Sequence, residues 1–242
     1  MGHREELWMI YRLLDRYFGN LHWWPAASPF EVMVGAILTQ NTAWTNVEIA
    51  IKALRKRRLL TPVALSRIPE DELAEAIRAS GYYHLKAARL KAFVKFFMDD
   101  YAGNLVAMKA EGIPILREKL LGVRGVGPET ADSILLYACH KPIFVSDAYT
   151  RRIFIRHQLI DEKTDYYGIQ SMVMASLPND TNLFNQLHAL IVMTAKTFCK
   201  KRAECADCPL AILIRKVGPV ENFRGSVVSR ETLPLGQERL VL

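Results

Sequence analysis

The stretch Val123-Arg124-Gly125-Val126-Gly127-Pro128-Glu129-Thr130-Ala131 lies between two runs with helical apolar spacing, Ile115 to Leu121 and Ala131 to Ala138. It limits the chain more than any other segment, because two helices must reverse direction across a few residues. Gly125 and Gly127 are expected to use backbone angles closed to other residues and to leave their amides open to a ligand. Pro128 suits the first turn of the second helix, where a missing N–H costs nothing. The free amides of that helix start, with the hairpin backbone, form a site suited to a phosphate anion. An ordinary helix corner would look the same if the glycines stood alone.

Charge points the same way. Lys and Arg number 32 against 25 Asp and Glu, a net charge of +7, which favours a polyanionic partner. With 50% hydrophobic and 24% charged residues in 242, the chain reads as globular, large enough for one big core or two small lobes. No apolar run approaches the roughly 20 residues of a membrane span, and Met1-Gly2-His3-Arg4-Glu5-Glu6 does not resemble a signal peptide. The expected compartment is the cytosol or nucleoid. There, disulfides are disfavoured, so three cysteines within Cys199 to Cys208 read as a metal cluster or its relic.

Periodicity gives an all-α chain. Helices are expected at Glu6 to Phe18, Pro29 to Leu38, Asn46 to Leu60, Pro69 to Ala79, Leu85 to Met98, Ala148 to Leu159, Tyr166 to Ala175 and Leu183 to Phe198. Pro29 to Leu38 is apolar on both sides and should be buried. Its polar successor, Thr39-Gln40-Asn41-Thr42, is a place from which a DNA-probing group could emerge. The basic end Lys52 to Arg58 suits either a helix C-terminus or a phosphate. Pro69 to Ala79 reads as a capped helix with an acidic start, and Lys86, Arg89, Lys91 and Lys95 as a solvated polar face. Residues 213–242 carry scattered Gly and Pro and read as a tail, with a short strand at Ser226 to Val228.

After the hairpin comes Phe144-Val145-Ser146-Asp147-Ala148-Tyr149-Thr150-Arg151-Arg152, where a carboxylate follows an apolar run and opens a helix. Together, Val123, Gly125, Val126, Gly127, Thr130, Ala131, Val145, Asp147 and Arg152 resemble the pattern of the helix-hairpin-helix DNA glycosylases of the endonuclease III superfamily. The resemblance spans roughly residues 28 to 210. It implies a two-lobe all-α fold with the active-site cleft between lobes: residues 28–139 as one lobe ending in the hairpin, residues 1–27 plus 140–212 as the other. It also implies a partner, double-stranded DNA containing a damaged base, bound by a monomer.

Within that resemblance each candidate residue acquires a role. Arg124, Gly125, Val126, Gly127 and Thr130 would grip the DNA backbone. Acting on a base requires flipping it from the stack, and Gln40 matches the position whose side chain fills the gap; its other reading is a helix-end cap. Asp147 would stabilise positive charge developing on the sugar and accept a proton from water, and it also reads as a helix N-cap. Glu129 stands two residues after the second glycine, where bifunctional members carry a lysine that forms an imine. A carboxylate cannot form one, so base removal without strand cleavage is expected. Lys141 and Lys196 are the other lysines that fold analogy brings near the sugar.

Trp23, Trp24 and Trp44, with Pro25, Leu38 to Thr42, and Gly127, Glu129, Ala131, Asp132, Ile134, Leu135, Tyr137, Ala138 and Cys139, resemble the 3-methyladenine DNA glycosylase branch. Electron-rich rings bind a cationic alkylated purine by stacking and cation–π attraction, so these tryptophans and Glu129 are the expected base pocket. Cys199, Cys205 and Cys208 are close to the four-cysteine loop that holds a [4Fe-4S] cluster in many members, but the fourth position falls at Ile214. A cluster with another ligand and a degenerate remnant are both open, the remnant being favoured; no cofactor is required for the chemistry. Lys200, Lys201 and Arg202 could meet phosphate from that loop. Three functions follow: a monofunctional glycosylase for alkylated purines, a relative acting on mismatched or oxidised bases, and a non-catalytic DNA-damage binder.

Overall fold

The computed structural model describes residues 2–213. Twelve α-helices are found there: α1 His3–Phe18, α2 Pro29–Leu38, α3 Trp44–Lys56, α4 Pro62–Arg67, α5 Glu70–Ala76, α6 Tyr83–Tyr101, α7 Leu105–Ala110, α8 Ile113–Gly122, α9 Pro128–Ser133, α10 Ala148–Arg156, α11 Tyr166–Ser176 and α12 Thr181–Thr197. Short 3₁₀ turns occupy Arg78–Ser80 and Ala211–Leu213. No strand forms among the described residues; Cys199 and Ala203 make one isolated antiparallel bridge. The expected strand at Ser226 to Val228 lies outside the described residues. No helix among them is long and apolar enough to cross a membrane.

Local chemistry sets the helix starts. Ser28, Thr61, Asn104, Asp165 and Asp180 each cap a helix by accepting a backbone N–H two or three residues on, and Pro29 and Pro62 follow two of these caps as first helical residues. The start of α5 departs from expectation. Its first turn is acidic as expected, but Pro69 at the N-cap offers no side-chain cap, and the helix stops at Ala76 before the 3₁₀ turn.

Packing sorts the helices into two groups. α2 is the centre of the first, buried from Phe30 to Leu38 against α3, α6, α9 and the turn after α9. Its buried Glu31 is neutralised by Arg55, whose Nη2 donates at 2.7 Å and 2.9 Å, so this cation at the end of α3 answers a buried carboxylate. In the second group α1 packs on α11 and α12, and α10 on α12. Asp132 of α9 ties the groups together: it accepts from Arg117 of α8 at 2.7 Å and 3.0 Å, and from Tyr166 and Gln170 of α11 at 2.7 Å each.

Lys86 corrects the expected polar face of α6. It is 1% exposed, and its Nζ donates to Leu38 O at 2.7 Å, Thr42 Oγ1 at 2.7 Å and Ser80 O at 2.6 Å. A buried ammonium is tolerated when its donors are satisfied, and here it ties the end of α2 to the turn that follows. Burial pulls its pKa down to about 8, and the nearby Arg89 charge adds to the effect.

Candidate active site

The hairpin forms as its glycines require, with one correction. Gly125 has φ +85°, the left-handed region, and a Cβ there would lie 2.3 Å from Arg89 Cγ. Gly127 is ordinary extended backbone at φ −95° and caps α9, and a Cβ there would meet nothing within 4 Å. Arg124, Gly125 and Gly127 are exposed, whereas Val126 and Thr130 are buried. The amide of Val126 is bound to Val123 O at 3.0 Å. Thr130 Oγ1 accepts from Gln40 Nε2 at 2.9 Å, so its hydroxyl faces inward. Of the five expected backbone-binding residues, the three exposed ones present a surface.

Gln40, two residues past α2, is half-buried. Its Nε2 also donates to Gly125 O at 3.0 Å, and Arg89 donates to its Oε1. The turn after α2, the hairpin and α6 therefore meet at one amide.

Behind the hairpin, α9 runs into a π-helical segment, Ile134–Ala138, where a continuous α-helix from Ala131 was expected. Such wide turns are common at functional sites. Tyr137 lies in it, with its ring 4.9 Å from that of Trp24 and tilted by 40°. Trp24 in turn meets Trp44 edge-on, 5.4 Å between centroids at 79°. Gly35 of α2 leaves room for the indole, whose Nε1 would be 3.3 Å from any added Cβ. Trp24 sits before Pro25 at φ +69°, a strain of roughly 1–3 kcal/mol of the kind that gathers at binding sites. Trp23 carries the Lys196 ammonium 5.5 Å above its ring. Trp44 Nε1 donates to Glu48 at 3.0 Å.

Asp147 arrives at the end of a buried extended segment, Ile143 to Ser146, and caps α10. Its Oδ1 accepts from the amide of Thr150 at 2.7 Å and from Thr150 Oγ1 at 2.9 Å. Oδ2 faces His188 Nε2 of α12 at 3.5 Å, and the other imidazole nitrogen hydrogen-bonds the Tyr137 hydroxyl. Burial alone would raise the pKa of Asp147; the His188 charge and the Thr150 hydrogen bonds overcome it and hold the carboxyl below its usual value. Glu129 moves the opposite way: crowding by protein and then the Asp147 charge raise its pKa, with His188 opposing. Taken as a whole residue, Glu129 is exposed.

Lys196 belongs to the same neighbourhood. Burial lowers its pKa, while Asp147 and Glu48 pull it back up. Lys141 does not: its Nζ donates to Lys109 O at 2.9 Å, at the end of α7. His188 and the Tyr137 hydroxyl have no expected role from sequence. A lone histidine in the apolar stripe of α12 gives no signal until the fold sets it against Asp147.

The cysteine loop follows α12. Cys199, Cys205 and Cys208 line one small cavity with Arg156 and His157. Arg156 fills the role of a staple: Nη1 meets Cys199 Sγ at 3.1 Å and Lys200 O at 2.7 Å, and Nη2 meets Lys201 O at 3.0 Å. Three thiols and a guanidinium are not the four-thiolate set of an iron–sulfur cluster, and the fourth position, Ile214, lies outside the described residues and offers no donor. Among the described residues no group of three or more His, Cys, Asp or Glu could hold a metal ion.

Residues 34–178 match the HhH-GPD superfamily of base excision DNA repair proteins. A provisionally named DNA repair glycosylase of Methanocaldococcus jannaschii is 47% identical over 207 residues, covering 85% of this chain and 94% of that protein. The 3-methyladenine DNA glycosylase of H. pylori, solved with 1,N6-ethenoadenine, superposes with a TM-score of 0.69 at 29% identity, covering 81% of this chain and 98% of that one. A trapped endonuclease III–DNA covalent intermediate shares the fold, with a TM-score of 0.76 at 22% identity over 89% of this chain and 97% of that one.

Proposed function

The chain belongs to the HhH-GPD superfamily of base excision DNA repair proteins, and from that premise we propose that this DNA glycosylase is monofunctional, removing alkylated purines from duplex DNA by hydrolysis. In this reading residues 28–139 form one lobe and residues 1–27 with 140–212 the other, the damaged base entering between them. The enzyme acts as a monomer in the cytosol or nucleoid and needs no cofactor.

The observation that carries the reading is the chain of contacts from Trp44 through Trp24 and Tyr137 to His188 and Asp147, with Glu129 at the hairpin position where an imine-forming enzyme needs a lysine. Arg124 and the exposed glycine amides hold backbone phosphate, which positions DNA without reading sequence. Gln40 fills the vacated stack while the base lies against the part-exposed Trp24 and Trp44 rings. A positive purine gains from those electron-rich faces. Its glycosidic bond is weakened by the charge, so the protein needs no strong acid to assist departure.

Asp147 then supplies charge. As the bond from the sugar to the base nitrogen breaks, its electron pair leaves with the base and the sugar becomes cationic. A fixed carboxylate opposite that cation stabilises the transition state. Water attacks the sugar carbon and passes a proton to Asp147 or to solvent, leaving an abasic site. Oδ1 is committed to Thr150, so Oδ2 is the oxygen for this work. The likeness to the H. pylori 3-methyladenine DNA glycosylase supports a purine substrate.

The test is a panel of duplexes carrying one lesion each, alkylated purine, uracil, mismatched thymine or oxidised base, incubated with the protein and resolved with and without alkali. Release of the alkylated purine, with strand breaks only after alkali, is expected. Preference for a pyrimidine lesion would replace the substrate assignment, and release of none would leave a damage-binding protein.

A further inference from the structure

Asp147 does not meet the site alone. The groups around it come from four elements: Thr150 from α10, Glu129 from α9, Tyr137 from the π segment, and His188 and Lys196 from α12. Among these, His188 is buried, 6% exposed, and held on three sides. The Phe144 ring packs edge-on to the imidazole, 6.3 Å between centroids at 82°. The Tyr137 hydroxyl binds Nδ1, and Asp147 Oδ2 faces Nε2 at 3.5 Å. Nε2 is buried, and its long 3.5 Å approach to Oδ2 is not matched by a closer hydrogen bond to any other group.

We propose that His188, held between the Tyr137 hydroxyl and Asp147, is a positioning residue that keeps the Asp147 carboxylate turned toward the sugar. The inference rests on the glycosylase reading above. Its logic is that of a histidine with two different neighbours. In neutral imidazole only one nitrogen carries hydrogen. The Asp147 carboxylate can only accept, so it favours the hydrogen on Nε2 facing it, and Nδ1 is then free to accept from the Tyr137 hydroxyl. When the ring is protonated, Nδ1–H donates to the tyrosine oxygen instead and Nε2–H keeps its direction, so both charge states present a donor to Oδ2. Since Thr150 occupies Oδ1, His188 is the group that decides how Oδ2 points. Tyr137 also packs against the Trp24 ring, so the residue behind the base pocket is also the second partner of the histidine.

Single-turnover base release from a 1,N6-ethenoadenine or other alkylated-purine duplex, measured from pH 5 to 9, tests this with His188→Ala, His188→Gln and Tyr137→Phe. Binding to a duplex with a tetrahydrofuran abasic analogue is the control. Loss of the partner leaves a buried carboxylate without its donor, which raises its pKa. His188→Ala is expected to slow release about 100-fold at neutral pH, equivalent to two powers of ten in the barrier relation, and to move the acid limb of the profile up by about one pH unit. Affinity for the abasic analogue should stay within about threefold. His188→Gln, which restores a neutral N–H, should recover about tenfold of the rate. Tyr137→Phe keeps the ring and should move the acid limb the same way by less.

Profiles that keep the shape and midpoint of the unmodified protein would overturn the inference, including a uniform loss of amplitude, which marks a structural role. If His188→Ala does not fold, the midpoints for Tyr137→Phe and His188→Gln decide. Asp147→Asn separates the two levels. An inactive Asp147→Asn beside unaltered His188 and Tyr137 profiles removes only this inference, whereas an active Asp147→Asn removes the reading beneath it.

Discussion

Gln40 Nε2 donates to the carbonyl oxygen of Gly125 at 3.0 Å, so the turn after α2 and the apex of the hairpin are joined through one side chain. If that side chain fills the gap left by a flipped base, it must exchange this bond and those to Thr130 and Arg89 for contacts in DNA. Each is worth about 0.5–1.5 kcal/mol net, a barrier a DNA complex can offset. Gln40→Ala should therefore slow base release at least tenfold while lowering folding stability by only about 1–2 kcal/mol. Fluorescence of 2-aminopurine at the target position, read beside a denaturant melt, checks both. Release at the unmodified rate would remove Gln40 from the gap.

The two hairpin glycines should respond differently to the same substitution. At Gly125 an added methyl would strike Arg89 Cγ at 2.3 Å with the backbone at φ +85°, so Gly125→Ala is expected to cost about 1–3 kcal/mol. At Gly127 no atom lies within 4 Å of the new carbon, and Gly127→Ala should leave stability within about 0.5 kcal/mol. It should still weaken binding to undamaged and damaged duplexes alike, because the contact it hinders is to backbone. Thermal unfolding and salt-controlled binding to both duplexes test the pair; equal destabilisation of the two variants would contradict the hairpin geometry.

Lys86 gives a stability prediction with a defined sign. Its pKa falls from 10.5 free to about 8 folded. The unfolded chain thus holds the proton more tightly, and the folded state gains stability as pH rises from about 8 to 10.5. Lys86→Met leaves Leu38 O and Thr42 Oγ1 without the ammonium donor, while Ser80 O keeps the bond from the Thr42 hydroxyl, at about 1–3 kcal/mol for each buried group left unpaired. Urea unfolding should show a loss of roughly 2–4 kcal/mol at pH 7.5, widening toward pH 10. A gap that narrows with pH would contradict the burial of this ammonium.

The same residue shows where sequence was legible and where it was not. α2 is readable residue by residue, because Ser28 and Pro29 mark its start and a polar run its end. The helices α4 and α7, six residues each, are too short to show a period, and α3 ends at Lys56, short of the apolar Leu59 and Leu60. Lys86 sits among other cations at surface spacing, yet the three acceptors that draw it inward come from α2, the following turn and a 3₁₀ segment. Asp147 and Glu129 stand out through a linear pattern. His188 cannot, since its significance depends on Tyr137, Phe144 and Asp147, which lie 41 to 51 positions away in the chain.

Glu129 predicts that borohydride will not trap a covalent complex between the unmodified protein and lesion DNA. Among the described residues Lys196 is the lysine that both senses Asp147 and has its pKa lowered by burial, so it is the residue to test if trapping occurs. A trapped species that disappears in Lys196→Gln would replace hydrolysis by imine chemistry.

The most direct test of the account is base release by Asp147→Asn under single-turnover conditions, with the freed base identified by mass spectrometry. The amide keeps the shape but removes the charge. A unit charge about 4 Å from the sugar cation contributes about 4 kcal/mol at an effective dielectric near 20, or roughly a thousandfold in rate. The account predicts a loss of about that size with binding to the abasic analogue retained. Release within tenfold of the unmodified protein would contradict it.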